Sequence, residues 1–179
     1  MLAAATAAVV LAVVSPASAG NAAHTVHFSA HFTDPGSRIT GIAGCPPGSF
    51  SLAGTAYFEA PLKATDTYTG CLSYDPLTQS VTGETFDKQT GFLAGCGHGS
   101  FVMHQTDLHS EPMPYDPSTN SARLTLRWSI VPGSGTGDFA GATGSGTGYA
   151  DITPPTAGSF PGLPNSGVYS GSVSCPHHP

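Results

Sequence analysis

Arg123-Leu124-Thr125-Leu126-Arg127-Trp128-Ser129-Ile130 decides the fold class. Leu124, Leu126, Trp128 and Ile130 fall on one parity and Arg123, Thr125, Arg127 and Ser129 on the other, the period of a strand with one buried face. The same alternation recurs upstream. Val26, Phe28, Ala30 and Phe32 share a face against His27, Ser29 and His31, and Phe50, Leu52, Gly54, Ala56 and Phe58 oppose Ser51, Ala53, Thr55, Tyr57 and Glu59. Tyr68, Gly70, Leu72 and Tyr74 continue the scheme to the Asp75-Pro76 turn. A short polar strand is expected from Val81 to Phe86, a turn at Asp87-Lys88-Gln89-Thr90-Gly91, and a longer strand from Phe92 to His104. Two more strands are expected near Gly146 to Ile152 and Gly167 to Cys175, with Gly41 to Gly48, Ser110 to Asn120 and Thr153 to Ser166 as loops. Beyond the N-terminal run, no window carries apolar residues at helical spacing among helix formers. Seven or eight strands, each with one apolar face, must pack as two sheets or close on themselves, and closure also removes unpaired edges. The expectation is an all-β protein, a closed or nearly closed antiparallel β-barrel of about eight strands.

The chain of 179 residues has 23 Gly and 16 Pro, only 9% charged residues, and a net charge of −6. That length suits one domain, expected over residues 20–179. Five Lys and Arg in total cannot build a phosphate-tracking surface, so nucleic acid is not an expected partner. Met1 to Val14 is almost wholly apolar and is followed by Pro16 and the small-x-small pattern Ala17-Ser18-Ala19, which marks residues 1–19 as a signal peptide cleaved after Ala19. No Lys or Arg precedes the run, which points to a translation start further upstream or a trimmed chain. The run is too short for a membrane span, and no later segment approaches one, so the expected location is extracellular. Cys45, Cys71, Cys96 and Cys175 form an even set with no C-x-x-C pair, which in an exported chain reads as two disulfides with three pairings open.

Gly133-Ser134-Gly135-Thr136-Gly137 recurs eleven residues later as Gly144-Ser145-Gly146-Thr147-Gly148, a pattern expected for a Gly-rich hairpin or corner. Neither G-x-G-x-x-G nor a P-loop motif occurs, so a nucleotide site has no support. The stretch from Ile130 through Gly137-Asp138-Phe139-Ala140-Gly141 to Gly144 resembles the Gly-Thr-Gly-x-Phe hairpin of the allene oxide cyclase and dirigent barrels, and most of all their secreted actinobacterial relatives of unknown function. The resemblance implies an eight-stranded antiparallel barrel with Phe139 plugging one end, and a homo-oligomer, often a trimer. Dirigent proteins usually carry Arg just before the closing glycine, where this chain has Thr143. Their catalytic acids have no counterpart that the motif identifies.

Candidate chemistry rests on few residues. Glu59, Glu84 or Asp66 could act as acid or base beside Tyr57, Tyr68 or Tyr74, because cyclisation in a barrel needs little beyond an apolar pocket and a polarising donor. Tyr68, Tyr74, Trp128 and Arg127 are the candidate ligand contacts. Eight histidines outnumber the permanent cations; His27 and His31 share one strand face and His98 and His104 another, so the four could bind a divalent metal if those strands were neighbours. No H-E-x-x-H or H-x-H pattern sharpens that idea, and no metal or other cofactor is expected. The adjacent His177 and His178 read as a frayed end. Below about pH 6 exposed histidines gain protons and carry the net charge from −6 toward slightly positive.

The expected role is a non-catalytic, disulfide-stapled module that binds a small hydrophobic ligand or a protein partner. An isomerase or cyclase acting on a small apolar substrate inside the barrel is the first alternative, and a structural cell-surface protein the second.

Overall fold

The computed structural model describes residues 23–40, 44–75, 77, 80–109, 122–152 and 165–176. Residues 1–19, expected as a signal peptide, most of the three Pro/Gly-rich loops and the His177-His178 pair lie outside them. Ten strands follow in order: β1 (His24–Asp34), β2 (Arg38–Thr40), β3 (Ser49–Phe58), β4 (Leu62–Asp75), β5 (Ser80–Leu93), β6 (Gly97–His109), β7 (Ala122–Ile130), β8 (Thr136–Gly137), β9 (Thr143–Ile152) and β10 (Asn165–Cys175). No described residue is helical. Every pairing is antiparallel, in the order β1-β10-β9-β7-β6-β5-β4-β3, and β1 then closes the ring against β3 through Phe32 opposite Phe58 and Thr33 opposite Tyr57. The eight long strands therefore form a closed meander barrel. The short β2 extends beside β3, and β8 pairs with the start of β6.

The period-2 pattern explains the wall. On β7, Leu124, Leu126, Trp128 and Ile130 are buried while Arg123, Thr125, Arg127 and Ser129 are exposed, and on β1 Phe28, Ala30, Phe32 and Asp34 alternate with exposed His27, Ser29, His31 and Thr33. Outside, Ser and Thr hydroxyls pair across strands, Thr25 with Ser174 at 2.7 Å and Ser170 with Ser29 at 2.9 Å. One end of the interior is apolar. Phe139, fully buried, meets Phe101 edge-on at 4.9 Å, held by a turn in which the Asp138 N–H donates to the His98 carbonyl at 2.8 Å.

Two expectations require correction. Asp87-Lys88-Gln89-Thr90-Gly91, expected as a turn, lies inside the 14-residue β5, where Asp87 and Gln89 face inward and Lys88 and Thr90 face out. The chain reverses at Ala94-Gly95-Cys96 instead, with Gly95 at φ +91°, so the expected Phe92 to His104 strand is divided between β5 and β6. The second copy of the glycine repeat is also not a corner. It is the body of β9, where Gly146, with Gly171 of β10 opposite it, clears space for the Trp128 ring; a Cβ at Gly146 would lie 2.6 Å from Trp128 Cζ2.

The disulfides are Cys45–Cys71, with Cα atoms 5.5 Å apart, and Cys96–Cys175, at 5.7 Å. The first ties the segment before β3 to β4, and the second ties the β5–β6 turn to the end of β10.

Candidate functional site: an acid cluster inside the barrel

Three neighbouring strands place polar side chains on the inner wall. Register sets Asp66 of β4 opposite Gln89 of β5, Tyr68 of β4 opposite Asp87 of β5, and Thr85 of β5 opposite Gln105 of β6. Because parity is fixed by Leu62, Ala64 and Leu72 on β4, and by Val81 and Leu93 on β5, these residues cannot turn outward without exposing the core. Asp34 at the end of β1 and Tyr169 of β10 complete the cluster. Asp34, Asp66, Asp87, Gln89 and Gln105 are each at most 3% exposed.

Hydrogen bonds divide the cluster into a satisfied part and an unsatisfied part. Asp34 accepts from the Tyr68 hydroxyl at 2.5 Å, from Asn165 Nδ2 at 2.9 Å and from the Gly36 N–H at 2.7 Å. Asp87 accepts from Thr85 Oγ1 at 2.6 Å and from Gln105 Nε2, which also donates to the Tyr169 hydroxyl at 2.5 Å across the lumen. Asp66 Oδ1 and both polar atoms of the Gln89 amide have no hydrogen-bond partner. Gly54 on β3 faces Tyr68, and any Cβ there would collide with the phenol, so this glycine gives Tyr68 the room to reach Asp34. Beside the cluster stand Phe32, Phe58 and Tyr169, with ring centroids 5.1–5.4 Å apart.

The electrostatics follow from burial with no cation facing the cluster among the described side chains. Lys63, Lys88, Arg123 and Arg127 are all exposed. Burial pushes Asp87 up from 3.8 to about 7, although the hydroxyl of Thr85 and the neighbouring Asp66 pull it back. Asp66 is raised well above the ordinary carboxylate range, first by burial and then by the charge of Asp87, with the nearby Gln89 amide opposing the rise. Burial likewise raises Tyr68, helped by Asp34, and Tyr169, helped by Asp87 and Asp66. Burial thus favours the protonated form of both carboxyls over the ionised one.

The residues singled out from sequence are dispersed. Tyr57 is 52% exposed and Glu59 is exposed beyond the end of β3, while the side chain of Glu84 is 58% exposed on the outer face of β5 and meets His104 Nε2 at 2.8 Å. Asp66 and Tyr68 lie in the cluster. Trp128 is buried on the inner wall, 5.7 Å from Phe28, with its Nε1 lacking a partner. Arg127 is exposed, 3.7 Å from Asp107, and the Tyr74 side chain lies outside the described residues. His27 and His31 project from β1, and His98 and His104 from β6, which sits on the opposite side of the ring, so the two pairs do not meet. His98 packs on Phe92, and His104 stacks on Phe86 at 4.4 Å.

Sequence reasoning passed over Asp34, Asp87, Gln89, Gln105 and Tyr169. A signal for two of them was present: Val81, Thr85, Asp87, Gln89 and Leu93 share one parity, so a single strand through that stretch would have turned Asp87 and Gln89 inward.

No protein-family model and no curated protein matches the chain. Among solved structures, it is similar to a protein of unknown function from the DUF3224 family of Shewanella oneidensis MR-1, at 16% identity and a TM-score of 0.52, over 83% of this chain and 97% of that one. The likeness concerns the fold. Two disulfides are consistent with an oxidising, extracellular setting, and no helix among the described residues is long and apolar enough to cross a membrane.

Proposed function

We propose that the barrel is an exported binding protein whose inner wall takes a small, mainly apolar molecule carrying a polar group. The observation that carries this is the unpartnered set at the centre of the cluster, Asp66 Oδ1 and the Gln89 amide, buried and side by side. Each buried polar atom without a partner costs about 1–3 kcal/mol, and a fold under selection for stability alone would fill these positions with apolar side chains. The neighbouring rings of Phe32, Phe58 and Tyr169 suit the apolar body of such a ligand. Native mass spectrometry of the protein from its native source, before and after organic extraction, tests the proposal. A small molecule retained before extraction and lost after it is the expected result; the bare chain mass in both samples overturns it.

A second reading is supported by Asp87, whose carboxyl is tuned to about 7 beside a second acid. Such a group can pass a proton to and from a bound molecule, as an isomerase or cyclase requires. If so, the extracted molecule changes structure on incubation with the protein, and Asp87→Asn abolishes that change while retaining binding. A molecule that returns unaltered leaves the binding role alone.

A further inference from the structure

The outer wall holds an open cleft of about 940 Å³ that shares no residue with the acid cluster of the inner wall. A bulge hollows it. Both neighbours of β6 change register beside Asp107, β5 between Gly83 and Thr85 and β7 opposite the step from Thr106 to His109, so β6 carries one extra residue there. Asp107 takes the left-handed conformation, φ +52°, that a short polar side chain tolerates, and its carboxylate stands on the outer face.

Register arranges the floor of the cleft in rows. Thr125 of β7 lies opposite Tyr149 of β9, which lies opposite Val168 of β10, and Arg127 likewise leads through Thr147 to Ser170. Arg123 flanks the other side of the Thr125 row, so two of the five Lys and Arg residues of an acidic chain line one cleft. Arg123 is held in place: Nε and Nη2 donate to the two Asp151 oxygens at 2.7 and 2.8 Å, and the guanidinium lies 4.0 Å from the centroid of the Tyr149 ring. Its Nη1 is left for a further acceptor. Arg127 is loose, 75% exposed, with Nε 3.7 Å from Asp107 Oδ2, beyond hydrogen-bond distance. So exposed a pair contributes little to stability, and an acceptor from a ligand can take the place of Asp107. The two heads diverge, Arg123 leaning across to β9 and Arg127 to β6, from backbone positions about 13 Å apart on an extended strand.

We infer that this cleft binds an acidic oligosaccharide, a chain of uronic acid residues several rings long. No single carboxylate reaches both arginines, so a ligand that uses both carries acids at intervals along its length. Between the arginines the wall supplies acceptors. The Thr125 hydroxyl already donates to the His109 carbonyl at 3.2 Å and that of Ser170 to Ser29 at 2.9 Å, which leaves both oxygens to accept, while Thr147 can accept or donate. Sugar hydroxyls bring the donors that these oxygens need; a plain polyanion such as an acidic peptide brings side chains that only accept. Tyr149 and Val168 at the middle of the floor give apolar surface for the C–H faces of the rings. A neutral apolar molecule would leave both guanidinium groups without a partner in the complex.

The test is calorimetric titration of the disulfide-bonded protein with hexagalacturonate, hexamannuronate and a hyaluronan hexasaccharide, each beside its fully methyl-esterified form, and with hexaglutamate. The expected result is that at least one of the uronate oligomers binds, at least about tenfold more tightly than its ester or the peptide. Arg127→Ala should weaken that binding by at least about fivefold, and Thr147→Val, which keeps the shape and removes the hydroxyl, should weaken it as well. Lys88→Ala, which removes an exposed cation of β5 outside the cleft, should leave it unchanged. Binding of none of the three oligomers overturns the proposal, and so does an ester that binds as tightly as its acid. Hexaglutamate binding equally well overturns the sugar in favour of an acidic peptide. An equal loss in Arg127→Ala and Lys88→Ala overturns the cleft in favour of diffuse charge attraction. None of these outcomes bears on the molecule proposed for the inner wall, which the extraction experiment decides.

Discussion

Asp87 gives the protein an inverted response to pH at the level of one side chain. Its folded value near 7 lies above the ordinary 3.8, so between those values the unfolded chain has released a proton that the folded chain keeps. The unfolded state binds fewer protons there, and stability falls as pH rises, by about 1.4 kcal/mol per pH unit for each such group. Asp66 acts in the same direction. We therefore expect the urea midpoint to be higher at pH 5 than at pH 8, and Asp87→Asn, with the Gln105 amide reversed to donate and accept as needed, to reduce the difference to the share that the burial of Asp66 maintains. A variant whose pH profile parallels the wild type would show that Asp87 is not the responsible group. The packing of Tyr68 is open to a separate check: Gly54→Ala should displace the phenol from Asp34 and cost about 1–3 kcal/mol in chemical denaturation.

At the level of the strand, β9 shows what its glycines are for. Ser145 and Thr147 face out, and Gly146 leaves the inner wall bare so that Trp128 can lie flat against it. Gly146→Val should cost about 1–3 kcal/mol through overpacking and redden the emission of the single tryptophan, which reports directly on that contact. Strands such as β1 and β7 were legible because their apolar residues sit on one parity without interruption. β5 was not, for a physical reason. Asp, Lys, Gln, Thr and Gly in succession carry turn chemistry, and only pairing with β4 and β6 over its whole length holds them extended. The candidate site was hidden by the same fact, since its centre lies on the strand that looked like a turn. Asp66 and Tyr68 were visible because β4 carries Leu72 on the same parity, whereas Tyr169 meets Gln105 only across the closed barrel, a juxtaposition that no local pattern encodes.

For the molecule as a whole, closure and the two disulfides act together. Cys96–Cys175 spans 79 residues and Cys45–Cys71 spans 26, so loop entropy assigns the longer bridge the larger share, on the order of 3–5 kcal/mol. Replacing Cys96 and Cys175 by Ser should lower the melting temperature more than replacing Cys45 and Cys71, as followed by circular dichroism. The closed wall also accounts for how an acid cluster persists in so small a fold: the remaining interior, from Phe28 and Trp128 to Phe101 and Phe139, supplies the burial that offsets it. That balance makes a functional cluster and a structural one behave oppositely when the polarity is removed. Asp66→Leu combined with Gln89→Met keeps the outline of both side chains and eliminates their unpartnered atoms. If the cluster exists to hold a ligand, urea denaturation at pH 7 will find the double variant at least as stable as the wild type, and native mass spectrometry will find it without the retained molecule. A loss of about 2 kcal/mol or more, with the wild type carrying no molecule, would make Asp66 and Gln89 part of the scaffold and contradict the account.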